Sequence, residues 1–265
     1  NDAASYHCVG YNTVEHWLED QKIANLVGQR GKTAKTVVIA TFLPRTVVDG
    51  LLAVLDRVGL EMESLTLEPI AAGLAAIPPN MRRMNLALVD IGAGTSDIAI
   101  TKNGSFYAYG MIPRAGDAVT EAICNSFFVD FPTGEKIKKQ MHLDKPKLSF
   151  KNFFGEKVSI AKEDVLEVIK PVTAELCEKI AKEIMRLNTS LHQGVIMVGG
   201  GSLTPGLADM LAEVLGLPRA RVGIQVCERI VKLIGDHRLK GPDNVTVVGI
   251  GMSAIERKGL NYYTV

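Results

Sequence analysis

The clearest pattern along the chain is a set of short apolar runs that end in glycines. Residues 86–90 are apolar on both faces, which predicts a central strand. Residues 96–101 alternate apolar and polar positions, and Asn103-Gly104 predicts a two-residue turn into a third strand at residues 105–109. This part of the chain therefore predicts an antiparallel meander.

The first quarter of the chain shows a strand-type run followed by a helical one. Residues 36–41 are rich in β-branched side chains, and residues 44–58 repeat apolar positions at helical spacing. A short strand is predicted at residues 64–67, followed by a small-residue helix from Pro69 to about Ala76. This segment predicts a small strand–helix–strand unit.

The rest of the chain alternates between helical patterns and buried strands, which is typical of an α/β protein. The predicted elements are a helix capped by Asp117 and ending near Phe127, a helix and a strand pair within 135–157, one or two helices over 161–191 with a break near Pro171, a strand at 195–198, a helix from Thr204-Pro205 to Leu215, a strand at 245–248 and a helix from about Met252.

The loop after the first central strand carries the strongest candidate chemistry. It runs from Asp90 through Gly92-Ala93-Gly94-Thr95 to Asp97. Consecutive backbone N–H groups in such a turn can hold phosphate oxygens, and Thr95 adds a hydroxyl donor. Two aspartates beside phosphates make sense if Mg²⁺ with its waters lies between them. The alternative is a glycine hairpin with solvated aspartates.

Three other segments are candidates for the same site. Glu68 precedes a proline at a helix start, where a carboxylate can orient a water molecule or simply favour the helix dipole. Gly199-Gly200-Gly201-Ser202 follows a buried strand and allows a flat base or ribose to approach, or only a tight connection. Glu135 and Lys138 lie on one helix face, as a nucleoside grip or a surface ion pair.

Composition and charge indicate an ordinary globular protein. The 265 residues are 47% hydrophobic and 22% charged, with a formal net charge of +1, which gives no reason to expect a nucleic-acid partner. The four cysteines show no C-x-x-C spacing and are interpreted as reduced. No apolar run is long enough to span a bilayer, and no signal peptide is visible.

In this order, the motifs resemble those of the superfamily that contains actin, DnaK chaperones and sugar kinases. Residues 90–97 match its second phosphate motif, D-x-G-x-G-T-x-D, and residues 198–202 match its adenosine motif. Residues 68–72 resemble the E-P-x-A-A segment of DnaK and MreB, residues 134–138 the helix that contacts the nucleoside, and residues 248–254 the closing interdomain helix. The resemblance implies an α/β, actin-like (ribonuclease H-like) fold with lobes that close over ATP and Mg²⁺.

The resemblance also implies a role for each motif residue. The catalytic candidates are Glu68, which would position the attacking water, and Asp90. Asp90 and Asp97 would bind Mg²⁺ through water. The candidates for contacts to ATP are Gly92, Ala93, Gly94, Thr95, Asp97, Glu135, Lys138, Gly199, Gly200, Gly201 and Ser202.

Within the superfamily, residues 35–67 look most like the small subdomain of FtsA and PilM. The expected layout is this subdomain over residues 1–67, the helix and link of the first lobe over 68–85, and the second nucleotide-binding lobe over 86–265, with a charged insert near 135–190. The first phosphate motif of the superfamily has no counterpart here. The N-terminal part of the first lobe is therefore expected to be missing, and nucleotide binding to be weak.

The function implied by the resemblance is that of an FtsA-type ATP-binding protein, a nucleotide-dependent switch or filament former in bacterial cell division. A weak ATPase that forms ADP and phosphate is compatible with the motifs. Alternatives are a PilM-like pilus-assembly scaffold and a DnaK- or EutJ-like chaperone ATPase. The expected location is cytoplasmic, or peripheral to the inner membrane through a partner, and the expected partner is another protein or a second copy bound through the small subdomain.

Overall fold

The computed structural model describes residues 5–23, 25–141, 146–188, 190, 192–227 and 237–257. The strands are β1 (Tyr6–Leu18), β2 (Gln21–Ile23), β3 (Ala34–Pro44), β4 (Leu86–Ile91), β5 (Ser96–Lys102), β6 (Ser105–Ile112), β7 (Lys147–Lys151), β8 (Lys157–Ala161), β9 (Gly194–Val198) and β10 (Val222–Ile224). The α-helices are α1 (Arg45–Arg57), α2 (Glu68–Ala76), α3 (Gly116–Phe127), α4 (Phe131–Gln140), α5 (Lys162–Leu187), α6 (Leu207–Val214) and α7 (Val245–Arg257).

A five-stranded sheet in the order β10-β9-β4-β5-β6 forms the centre of the molecule. β4 pairs in parallel with β9 and antiparallel with β5, and β6 follows β5 through a hairpin. Asn103 and Gly104 in that turn have φ values of 55° and 92°, as the predicted turn requires. Every residue of β4 is buried. The predicted central strand and meander are confirmed.

Helices cover both faces of this sheet, and alternate residues of β4 face the two layers. Val89 and its neighbours on one face pack against α5 and α6 through apolar side chains such as Ile180 and Leu211. Leu88 on the other face packs within the cluster that includes α2 and α7. A sheet covered on both faces explains why β4 is apolar throughout.

The contact between α2 and α7 is made by small residues. A Cβ atom built at Gly249 would lie 1.8 Å from the carbonyl oxygen of Ala71, so the two backbones touch. The strand predicted at residues 245–248 is wrong, because these residues begin α7. Their β-branched side chains favour a strand, but the helical conformation buries Val245 and Met252 and brings Gly249 against α2.

A second, smaller core lies beside the central sheet. α3, α4, the β7–β8 hairpin and the first turns of α5 enclose Val119, Ile123, Ile137, Leu148 and Ile169. The helix and strand pair predicted for the charged insert are confirmed. α5 runs without interruption for 26 residues, so the predicted break near its internal proline is wrong. In the described residues, no helix is both long and apolar enough to cross a membrane.

The small subdomain consists of β1, β2, β3 and α1, and its core is thin. In its described residues, the buried apolar side chains are Val9 and Val48. The predicted strand and helix are confirmed as β3 and α1. The strand predicted at residues 64–67 is wrong, since residues 60–67 have no regular secondary structure. β1 was not predicted, because its sequence mixes polar and aromatic residues without a clear alternation.

Two helix starts also differ from the prediction. α3 begins at Gly116 with Ala115 at the N-cap and no side-chain cap, so Asp117 lies in the first turn. α6 begins at Leu207, because Gly206 adopts a left-handed conformation with φ of 78° and separates it from the preceding 3-10 turn at Gly200–Leu203. The prediction that Asp117 caps α3 is therefore wrong.

The α2–α7 contact predicts opposite effects for two glycines of α7. Gly249→Ala must displace the α2 backbone, and overpacking of this kind costs about 1–3 kcal/mol of unfolding free energy. Gly251→Ala meets open space and should stabilise the helix by up to about 1 kcal/mol. Urea unfolding of both variants tests this, and equal stabilities would contradict the close contact.

Candidate functional site

The glycine loop between β4 and β5 presents backbone N–H groups that the rest of the described chain leaves unused. The amide of Gly92 closes the loop by donating to the carbonyl of Thr95 at 3.0 Å. In the described residues, the amides of Ala93, Gly94 and Thr95 have no hydrogen-bond acceptor. Three successive free N–H groups form a site of the kind that binds anions.

The first turn of α3 holds this loop in place. The amide of Gly116 donates to the carbonyl of Gly92 at 3.1 Å, and the amide of Asp117 donates to the carbonyl of Ala93 at 2.8 Å. N–H groups at a helix start have no partner within the helix, so these bonds satisfy them. They also fix the loop carbonyls toward α3.

Three carboxylates lie at the edge of the loop. Asp90 and Asp97 are directly opposite each other in the β4–β5 pair, so both side chains emerge on the same face of the sheet. Glu68 begins α2 on that face, close enough for its charge to interact with both aspartates. Thr246 of α7 donates a hydrogen bond to Asp90.

The environment of these groups disfavours their charged forms. Desolvation raises the pKa of Asp90, and the hydrogen bond from Thr246 offsets only part of the effect. Desolvation also raises the pKa of Asp97 despite the hydrogen bond from Thr95, and Asp90 adds to the shift. Desolvation and the charges of Asp90 and Asp97 raise the pKa of Glu68. The three carboxylates repel one another, and a bound cation would reduce this repulsion.

The donor set fits a hard divalent cation, because carboxylate oxygens are the ligands that Mg²⁺ prefers. In the described part of the chain, no three side chains of histidine, cysteine, aspartate or glutamate converge to hold a metal by themselves.

The glycine run after β9 lies directly against the end of β4. A Cβ atom at Gly199, which has φ of 82°, would lie 2.4 Å from both Asp90 Oδ1 and the carbonyl oxygen of Ile91. A Cβ atom at Gly201 would lie 2.5 Å from Ile91 Cγ2. Ser202 is buried, and its hydroxyl donates to the carbonyl of Gly199 at 2.7 Å. The serine therefore stabilises the turn.

Glu135 and Lys138 form an ion pair on α4, with 2.6 Å between Oε2 and Nζ. Lys138 also donates to the carbonyl of Gly116 at 2.9 Å and to the hydroxyl of Thr120 at 2.7 Å. Desolvation opposes ionisation of Glu135, but hydrogen bonds from Lys138 and Thr120 outweigh it and hold its pKa below the ordinary value. Glu135 is therefore ionised at neutral pH, and the hydrogen bonds fix the pair in place.

These elements surround a cleft of about 440 Å³. The cleft brings together six of the predicted site residues, namely Gly92, Ala93, Glu135, Lys138, Gly200 and Gly201. The others lie outside its lining, namely Glu68, Asp90, Gly94, Thr95 and Asp97 on or beside the loop, and Gly199 and Ser202 in the turn after β9. Residues not predicted from the sequence also line it, namely Asp117, Lys139, Leu203, Thr204 and Asp243.

Comparison with known proteins assigns the family. A sequence model of the family described as "Cell division protein FtsA" matches residues 87–249, more than half of the chain. The chain belongs to the FtsA family. The matched region includes β4, the glycine loop, α3, α4 and the glycine run, so it contains most of the cleft.

The sequence similarity to individual FtsA proteins is moderate. FtsA of Bacillus subtilis (strain 168) is 27% identical over 180 residues, which cover 64% of this chain and 41% of that protein. FtsA of Pseudomonas aeruginosa is 27% identical over 215 residues, which cover 76% of this chain and 50% of that protein. The chain thus spans about half the length, or less, of these FtsA proteins.

Solved structures show the fold. A chain of the PilM-PilN type IV pilus biogenesis complex matches with a TM-score of 0.62 at 21% identity, over 96% of this chain and 68% of that one. MreB5 of Spiroplasma citri bound to AMPPNP matches with a TM-score of 0.61 at 18% identity, over 82% and 67%. Ethanolamine utilization protein EutJ from Carboxydothermus hydrogenoformans matches with a TM-score of 0.54 at 23% identity, over 77% of this chain and 60% of that one. The predicted actin-like α/β fold is confirmed.

Two of the unpredicted lining residues of this FtsA-family cleft had a usable sequence signal. Asp117 follows Gly116 at a helix start, and Asp243 lies in a Gly-Pro-Asp turn just before α7. Polar residues at such starts face a cleft when the strands before them end there. Thr204 and Leu203 had no signal beyond their position after the glycine run.

The raised pKa of Asp90 predicts that its charge destabilises the protein. Because the folded state binds this proton more tightly than the unfolded state, stability falls as pH rises above the ordinary pKa of 3.8. Asp90→Asn keeps an acceptor for Thr246 and should raise the unfolding temperature at pH 7 without metal or nucleotide. Each kcal/mol gained corresponds to about 2–4 °C.

The control for this thermal unfolding series is Asp49→Asn, which alters an exposed carboxylate on α1. It should leave the midpoint nearly unchanged. The advantage of Asp90→Asn should shrink below pH 3.8, where Asp90 is protonated in both states. An Asp90→Asn variant less stable than the unaltered chain at pH 7 would contradict the cost of desolvating the Asp90 charge.

Proposed function

We propose that this chain binds ATP with Mg²⁺ in the cleft between the glycine loop and α4. The observation that carries the proposal is the set of three amides, at Ala93, Gly94 and Thr95, that have no acceptor among the residues the structure describes. They adjoin a cleft that is also lined by the fixed Glu135–Lys138 pair. An anion site beside a fixed polar pair suits a phosphorylated nucleoside.

The loop and the carboxylates would hold the phosphate end. The amides of residues 93–95 would donate to phosphate oxygens, the Thr95 hydroxyl would turn from Asp97 to a phosphate oxygen, and Asp90 and Asp97 would hold the waters of Mg²⁺. When bound, Mg²⁺ neutralises phosphate charge and would also offset the repulsion among the carboxylates. Glu68, whose pKa is raised by desolvation and by the two aspartates, would orient an attacking water and accept its proton. The activity would be a weak ATPase that forms ADP and phosphate.

The glycine run and α4 would hold the nucleoside end. Gly200 and Gly201 leave a flat surface against which a base or ribose can pack, with the Ser202 hydroxyl and Gly199 stabilising the turn. Glu135 and Lys138 line the same cleft. Asp117, Thr204 and Asp243 add further polar contacts, and their residue types are suited to the hydroxyl and amino groups of a nucleoside.

The proposed cellular role is that of an FtsA-type switch or filament former in bacterial cell division. Family membership supports cell division. An exposed apolar stripe on α1, formed by Val47, Leu51, Val54 and Val58, supports protein contacts through the small subdomain. These side chains are 44–63% exposed and follow one another at helical spacing. The expected location is the cytoplasm, with a peripheral position at the inner membrane through a partner.

A second candidate function is docking of an extended partner segment, as in a PilM-like scaffold. A cleft of about 640 Å³ lies between β1, α2 and the β5–β6 hairpin, lined by Val9, Tyr11, Leu67, Ile70 and Phe106 among others. Apart from its pairing with β3 and with the three residues of β2, β1 has no strand partner in the described residues. An open strand edge beside an apolar cleft suits an added strand.

The nucleotide proposal predicts a selective loss of binding in Gly94→Val. A Cβ atom at this position meets open space, so the variant should fold normally. Its side chain would project where phosphate is proposed to lie, and Mg·ATP affinity should fall at least about tenfold, equivalent to about 1.4 kcal/mol. Isothermal titration of Mg·ATP into both proteins measures this.

Gly251→Ala, which also meets open space, is the matched control and should bind as the unaltered chain does. Unchanged affinity in Gly94→Val would show that the phosphates do not bind at the glycine loop. Failure of the unaltered chain to bind Mg·ATP would overturn the proposal for this chain.

The filament proposal predicts that Val54→Asp abolishes ATP-dependent pelleting. Val54 is 58% exposed, so the change should not disturb folding, but a buried charge would weaken an apolar contact between copies. Val214→Asp, at an exposed apolar position on α6, is the control and should pellet normally. Pelleting that is equal in both variants would exclude the α1 stripe as the contact.

A further inference from the structure

The nucleoside end of the cleft depends on a buried hydroxyl that the proposed contacts do not include. Thr120 lies in the second turn of α3 and is fully buried. Its Oγ1 donates to Glu135 Oε2 at 2.7 Å and accepts from Lys138 Nζ at 2.7 Å. A hydroxyl has a single proton, and a carboxylate is its strongest acceptor here, so the 3.3 Å contact to the Gly116 carbonyl is secondary.

Lys138 is fully committed to this network. An ammonium group has three protons, and the acceptors are Glu135 Oε2 at 2.6 Å, Thr120 Oγ1 at 2.7 Å and the Gly116 carbonyl at 2.9 Å. The lysine therefore contributes its charge and its methylene groups to the cleft. Glu135 Oε1, which lies 3.3 Å from Lys139 Nζ, is the oxygen that remains for a ligand hydroxyl or amino group.

A pair of this kind is not fixed by its helix alone. Glu135 and Lys138 are three residues apart and only partly covered, with 28% and 15% of their side chains exposed. Long side chains of this type keep several rotamers unless other groups restrict them. Lys139 competes for the same carboxylate from the exposed side of α4. Thr120 is the group on α3 that holds both members of the pair toward the cleft.

The same network reaches the phosphate loop. Lys138 is bonded to the carbonyl of Gly116, whose amide is bonded to the carbonyl of Gly92. No added atom fits easily between these parts, since a Cβ atom at Gly116 would lie 3.1 Å from the Gly92 oxygen and 3.3 Å from Lys138 Nζ. The position of α4 is thereby tied to the loop through the first turn of α3.

We propose that Thr120 is a positioning residue for the nucleoside, which holds Glu135 and Lys138 in the arrangement that a ligand meets. This inference rests on the proposed nucleotide function and deepens it. Thr120 touches no ligand itself. Its loss should weaken ligands that contain a nucleoside and leave the binding of phosphate chains unchanged.

The test compares Mg·ATP with magnesium tripolyphosphate, which has the phosphates without the nucleoside, by isothermal titration. Thr120→Val keeps the shape and removes the hydroxyl, so affinity for ATP should fall about tenfold, as expected for loss of a hydrogen bond to a charged group. Affinity for tripolyphosphate should not change. Thr120→Ser restores the hydroxyl and should bind ATP as the unaltered chain does.

A double-mutant cycle with Lys138→Met separates positioning from a general structural effect. Because Thr120 acts through the pair, Thr120→Val should cost much less ATP affinity in the Lys138→Met background than in the unaltered chain. Additive losses would overturn the inference. If Thr120→Val unfolds, Thr120→Ala, which adds no atom, serves in the same comparison.

The outcomes distinguish this inference from the function on which it rests. Unchanged ATP affinity in Thr120→Val, or equal losses for ATP and tripolyphosphate, would overturn the positioning role and leave the nucleotide site standing. Gly94→Val should weaken both ligands, which verifies that the phosphate loop is being measured. Failure of the unaltered chain to bind either ligand would overturn the nucleotide site and the role of Thr120 with it.

Discussion

The close approach of the Gly199–Gly201 run to the end of β4 is the constraint on which the rest of the structure depends. Side chains at Gly199 or Gly201 would overlap the Asp90 carboxylate and the Ile91 backbone. Without that approach, the turn after β9 could not lie beside the glycine loop. The cleft exists because two parallel strands, β4 and β9, end side by side and both continue into segments with almost no side chains.

A second constraint acts through α3. Its first turn has backbone N–H groups without helical partners, and the carbonyls of the glycine loop supply them. The loop amides are thereby left facing outward, where an anion can reach them. The N–H groups at the start of α3 thus hold the loop in place. The hydrogen bond from Lys138 to the carbonyl of Gly116 connects α4 to the same helix start. The acidic cluster has the opposite effect on stability. Repulsion among Glu68, Asp90 and Asp97 lowers the free energy of unfolding, because folding brings these charges together. Such a conflict is common at functional sites.

The sequence predicted the parts of the fold that have a strong local pattern. β4 was recognisable because it is apolar on both faces, and the β5–β6 turn because Asn103-Gly104 suits positive φ. Residues 245–248 could not be assigned locally, since the burial of Val245 and Met252 and the contact between Gly249 and Ala71 favour the helix only once α7 packs on the rest of the fold. The candidate site followed the same rule. The glycine motifs were visible, whereas Thr120 matters only through neighbours that are distant in the sequence.

The contact between α2 and α7 has a mechanical consequence. Ala71 and Gly249 bring the two backbones into direct contact, and larger side chains such as Ile70, Val245 and Met252 pack in the same cluster. Glu68 begins α2, while Thr246 on α7 is bonded to Asp90. A slip of one helix along the other therefore changes the distance between Glu68 and Asp90. The spacing of these two acidic groups therefore depends on how α2 and α7 are packed against each other.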